Sequence, residues 1–174
     1  MAKPKPPKTA AAIDSLLGGR GRHWAGSDTP ASRFVISLFR LTSLLQERTE
    51  RLVAPYGISF TEFEALAALR SQPAPHCLTP SDLYTAMLMS SGGLTKVLTS
   101  LARKRLIRRM LSSEDGRSKP VALTSKGKAL IEQVMARVLA RDSKAFAAAV
   151  SHDKLRQLEG AMSLMLASMD TTKE

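Results

Sequence analysis

Apolar residues recur at helical spacing along most of this chain. Phe34, Leu38, Leu41, Leu45 and Leu52 are separated by three, four or seven positions, with Phe39 and Leu44 beside them. That stripe predicts an amphipathic helix. Thr29-Pro30 reads as its cap and first residue, and Pro55 and Gly57 should stop it near Ala54. Ser59 and Glu62 form a capping box that opens a helix carrying Phe63, Leu66 and Leu69, ending before Pro73. Thr79-Pro80 with Asp82 repeats the device for a short helix to Met87. Ser90 is the next candidate N-cap, for a helix through Leu101 to about Lys104.

The period then changes. Ile107 to Leu111 and Val121 to Leu123 are short strand-like runs, and the Ser, Asp, Gly and Pro residues between them mark a hairpin tip. Thr124 caps a long helix to about Ala149, and Ser151 caps a last one. In that last helix Leu155, Leu158, Met162, Met165 and Met169 are spaced 3, 4, 3, 4, a heptad seam suited to helix-to-helix packing. The fold class is therefore mainly α with a small β-hairpin wing. Two helices joined by a tight turn and followed by a hairpin make a winged helix-turn-helix. The domains divide as a basic, partly disordered extension over 1–28, a first helix over 29–57, a winged helix-turn-helix lobe over 58–127, and C-terminal helices over 128–174.

Composition narrows the partner. Over 174 residues the net charge is +11, which points to a polyanion. Ten Lys or Arg against two acids between Lys96 and Lys128 hold +8 of it. No apolar run approaches the ~20 residues of a membrane span. The opening "MAKPKPPKTAAA" lacks the apolar core of a signal peptide. A single cysteine, Cys77, excludes an internal disulfide and suits a cytoplasmic protein. Cys77 lies beside His76 in an expected loop, which leaves redox sensing as an alternative.

On a helical wheel Leu94, Val97, Leu98 and Leu101 share one face. Gly92, Lys96, Thr99 and Arg103 take the opposite face, flanked by Thr95 and Ser100. Small residues allow close approach to a groove, hydroxyls and one lysine can reach base edges, and the free N–H groups at Ser91, Gly92 and Gly93 favour a phosphate. Ser90 belongs to the same contact set. The hairpin tip adds the cations Arg117 and Lys119, with Ser118 between them, on a projection that fits a minor groove. Asp115 would oppose DNA unless paired, and Arg109 is its candidate partner.

Enzymes and other binders fit less well. G-x-G-x-x-G, the P-loop and H-E-x-x-H are all absent. His23, His76 and His152 are scattered, so neither a metal site nor a cofactor is expected. The window from Lys96 to Lys128 holds no aromatic residue for RNA stacking. Its short amphipathic helix must spend its apolar face on the core rather than on a membrane.

The stretch from Leu78 to Leu130 closely resembles the MarR family of bacterial transcriptional regulators. The wing follows that family's D-x-R-x-x-x-V-x-L-T-x-x-G at Asp115, Arg117, Val121, Leu123, Thr124 and Gly127, and Ser90-Ser91-Gly92-Gly93-Leu94-Thr95-Lys96 looks like its recognition helix. One departure is Val97, where the family often has arginine. The resemblance implies a homodimer whose first and last helices interlock, binding a pseudo-palindromic double-stranded operator. It implies a repressor released by a small aromatic or phenolic ligand, or by cysteine oxidation; a basic nucleic-acid-binding module without a ligand is the other alternative. Chain length and "YGISFTEFEALAALR" are similar to the urate-responsive PecS-like subgroup. There an N-terminal Trp and a second-helix acid help hold a flat anionic purine, which maps onto Trp24 and onto Glu64, where that subgroup has Asp.

Overall fold

A computed structural model describes Ser15, Gly18, Gly19, His23, Trp24 and residues 26–87, 93–110 and 119–171. The chain divides into two units, Met1–Pro55 and Tyr56–Glu174. The basic N-terminal tail read as disordered lies largely outside the described residues.

The first unit is dominated by α1 (Pro30–Val53). Thr29 caps it as expected. Its side chain accepts from the Ser32 backbone N–H, and the Ser32 hydroxyl accepts from the Thr29 N–H. Pro30 sits in the first turn, where no N–H is needed. Phe34, Val35, Phe39 and Leu41 stay exposed along this helix.

The second unit contains α2 (Phe60–Arg70), β1 (Cys77–Leu78), α3 (Pro80–Ala86), α4 (Leu94–Arg103), β2 (Ile107–Arg109), β3 (Val121–Leu123), α5 (Ser125–Ala147) and α6 (His152–Thr171). The strands form one antiparallel sheet in the order β1-β3-β2. α2 is the hub. Its Ala65, Leu66 and Leu69 are fully buried, and it packs on α3, α4, α5 and the sheet. Leu83, Leu101, Ile131 and Val134 close the core around it, each burial contributing about 2 kcal/mol.

The Ser59–Glu62 capping box is present in both directions. Two expectations need correction. The helix predicted from Ser90 begins at Leu94, with Gly93 as its N-cap and no side-chain capping bond. Glycine is a poor helix former, so Gly93 stands as the cap and the helix starts after it. Consequently its free N–H groups belong to Leu94 and its successors. Cys77 is likewise not in a loop. It pairs with Ala122 in β1, making the wing sheet three-stranded. Two residues are too few to show an alternating pattern.

Candidate nucleic-acid interface

α4 has two chemically distinct sides. Leu98 and Leu101 are buried and Leu94 and Val97 half-buried. Thr95, Lys96, Thr99 and Arg103 are exposed. Together with half-buried Ser100 those four rim a shallow concavity of about 260 Å³. The four described residues expected on the contact face are thus all on it. The Thr99 hydroxyl donates to the Thr95 carbonyl at 2.8 Å, so toward a ligand it offers its lone pairs. Ser90, Ser91 and Gly92 lie outside the described residues.

Beyond α4 the chain turns at Arg105, which adopts a left-handed φ of 60°. β2 and β3 then pair Ile107 with Leu123, Arg108 with Ala122 and Arg109 with Val121. Ile107 faces the core, while Arg108, Arg109 and Lys119 are exposed. Met110 N–H donates to the Pro120 carbonyl at 2.8 Å and continues the ladder toward the tip. Arg117, Ser118 and Asp115 lie outside the described residues, and so does the expected Arg109–Asp115 pair.

A feature that sequence reading missed ties this surface to the hub. Lys104, the C-cap of α4, donates from Nζ to both Glu62 carboxylate oxygens at 2.6 Å. Burial alone would raise the Glu62 carboxyl, but hydrogen bonds from Lys104, the Ser59 N–H and Ser100, with the lysine charge, hold it below its usual 4.5. Glu62 therefore supports the fold above pH 4.5, and that support is lost as pH falls through its lowered pKa. Glu62 read from sequence only as a capping residue. Its partner is 42 positions away, beyond any local pattern.

The two expected ligand residues sit in different units. Trp24 is 65% exposed and its carbonyl accepts from the Ser27 N–H and hydroxyl. Glu64 lies on α2, with Oε2 buried and without a hydrogen-bond partner. Burial pushes its carboxyl above the usual 4.5. The folded chain then holds that proton more tightly than the unfolded chain. The fold is penalised progressively as pH rises from 4.5 through the raised pKa, and fully above it. Glu64→Gln should accordingly be more stable than the parent at pH 7 and equal to it near pH 4, as read from urea midpoints at the two pH values. Equal stability at pH 7 would contradict this.

α2 and α5 also border a groove of about 440 Å³ lined by Ala67, Arg70, Ser71, Ile131, Glu132, Met135, Ala136 and Leu139. Arg70 bridges to Glu132 at 2.7 Å across it. Glu64 is not among its lining residues. Among the described residues no cluster of His, Cys, Asp or Glu could hold a metal, and no helix is long and apolar enough to cross a membrane.

Residues 56–118 match the family model described as MarR family. The transcriptional regulator PecS of Dickeya dadantii (strain 3937) is 33% identical over 99 residues, 57% of this chain and 60% of PecS. The matched stretch thus spans about three fifths of that relative. The multiple antibiotic resistance protein MarR of Salmonella typhimurium is 32% identical over 103 residues, 57% of this chain and 69% of that protein. A crystal structure of a mutant MarR from E. coli complexed with operator DNA superposes with a TM-score of 0.61 at 25% identity, covering 79% of this chain and 99% of that one.

Proposed function

The chain belongs to the MarR family, and from that premise we propose that it is a homodimeric, sequence-specific DNA-binding transcriptional regulator. The observation that carries this is α4. One side is consumed by the core, and the other presents Thr95, Lys96, Thr99 and Arg103 to solvent inside the most basic segment of the chain. In this reading α4 enters the major groove, and the cations of β2 and the wing, Arg117 included, follow the adjacent backbone.

Self-association has its own support. α6 leaves Leu158, Met162, Met165 and Met169 exposed, and α1 leaves Phe34, Val35, Phe39 and Leu41 exposed. Solvated apolar stripes of this extent mark interaction surfaces. Pairing two copies through them sets two α4 helices against one pseudo-palindromic site.

Release by a small aromatic anion completes the proposal, and repression is the mode it implies. The α2–α5 groove joins apolar walls to the Arg70 cation. Glu64 stands on α2 with its carboxyl pKa raised by burial, and Trp24, in the other unit, separately offers an exposed face on which a flat ligand can stack. Titrating urate and salicylate into the DNA complex while following Trp24 fluorescence tests both roles together. DNA release with unchanged fluorescence would remove Trp24 from the site.

The reading of bases is tested by substitution on α4. Lys96→Ala or Thr95→Val should change which duplexes are preferred, each lost base contact altering discrimination by about tenfold. Arg117→Ala should weaken binding to every sequence alike and lower the salt slope by about one unit. Unchanged preference in both α4 variants would mean that the helix does not read bases.

A further inference from the structure

Base reading depends on where α4 points, and the apolar contacts alone fix that direction loosely. Leu98 and Leu101 hold the helix to the core through non-directional contacts. The directional ties described for α4 gather at its C-terminal end. Lys104 Nζ is gripped by both oxygens of Glu62, a residue only 4% exposed. Glu62 Oε2 is itself fixed by the Ser59 N–H at 2.8 Å. The Lys104 carbonyl accepts from Lys126 Nζ at 3.1 Å, and the Arg105 carbonyl accepts from the Thr124 hydroxyl at 2.8 Å. At the other end Gly93 supplies no side-chain cap. The helix is a lever clamped at its C-terminus.

We propose that the Glu62–Lys104 pair is a positioning device for DNA reading, so that Lys104 governs base discrimination while its ammonium is turned inward to α2. This rests on the DNA-reading role proposed above. Lys96 and Lys104 are eight positions apart, about 12 Å along a helix. A swing of about 5° at the clamp displaces Lys96 by about 1 Å, enough to break hydrogen-bond geometry to a base edge. A partly buried ion pair is a weak source of net stability, because the desolvation of its charges offsets much of their attraction. Its strength is direction: two oxygens and one ammonium at 2.6 Å leave little freedom of orientation.

The test compares the parent dimer with Glu62→Gln and Lys104→Arg. In Glu62→Gln the amide keeps an oxygen for the Ser59 N–H, so the helix cap survives while the charge pair is lost. Lys104→Arg keeps the pair, because the guanidinium fork matches a carboxylate. A pool of random-sequence duplexes is first selected on the parent protein, and each variant is then measured on the recovered duplex and on the unselected pool. Glu62→Gln should bind the recovered duplex about tenfold more weakly. Its affinity for the unselected pool, its salt slope and its dimeric state should stay within about twofold of the parent. Lys104→Arg should match the parent on both. Discrimination retained in Glu62→Gln, or lost in Lys104→Arg, overturns the proposal. Equal weakening on both DNAs does so too, because it reports only loss of folded protein. If the parent recovers no preferred duplex, the DNA-reading role itself fails, and positioning falls with it.

Discussion

Gly127→Ala should destabilise the Tyr56–Glu174 unit by about 3 kcal/mol or more. Gly127 stands in the first turn of α5, where a Cβ would collide with the Leu106 carbonyl oxygen and lie 2.9 Å from its carbon. That carbonyl cannot retreat. It accepts from the Thr124 N–H at 3.1 Å and from the Thr124 hydroxyl at 3.2 Å, and those bonds seat α5 on the turn between α4 and β2. The Gly127 N–H in turn donates to the Thr124 hydroxyl at 3.0 Å. Helix propensity alone would favour alanine by about 1 kcal/mol, so the two effects predict opposite signs. The clash is with backbone held by two bonds, and it should win. Chemical denaturation measures the difference. A variant as stable as the parent would mean that α5 and Leu106 are not in close contact.

Leu158→Asp combined with Met165→Asp should convert the proposed dimer to a monomer that remains folded. Both side chains are already 44% and 38% exposed within one chain, so the substitutions leave the core intact. In an apolar seam between copies, each carboxylate would lose its water without gaining a partner. A penalty of about 4 kcal/mol corresponds to about a thousandfold in dimer dissociation. Sedimentation equilibrium reads the assembly, and circular dichroism reads the fold. DNA affinity should fall with the dimer, because the two half-sites, ~34 Å apart, are no longer held together. A monomer that still binds a palindromic duplex tightly would overturn the dimer as the reading unit.

The helices were legible because their ends carry local chemistry. Thr29-Pro30, Ser59 with Glu62, and Thr79-Pro80 each fixed a start within a few residues, and the change of period after Arg105 exposed the hairpin. The α4 face was legible from spacing, since Leu98 and Leu101 had to point inward and Lys96, Thr99 and Arg103 therefore outward. Three features were not legible. Ser90 has the right chemistry for a cap, but the helix begins at Leu94 with Gly93 as its cap. β1 is two residues long and exists only because β3 is there to pair with it. The Glu62–Lys104 pair joins positions with no shared local pattern, and only the packing of α2 on α4 brings them together.

The most direct measurement is the affinity of the intact protein for a selected duplex and for random duplex DNA across a series of salt concentrations. Log K should fall steeply with log salt on both, with a slope of about −0.9 for each phosphate neutralised. At physiological salt the selected duplex should bind at least about a thousandfold more tightly than random DNA. A flat salt response, or equal affinity for the selected duplex, random duplexes and anionic vesicles, would contradict the claim that this surface reads DNA.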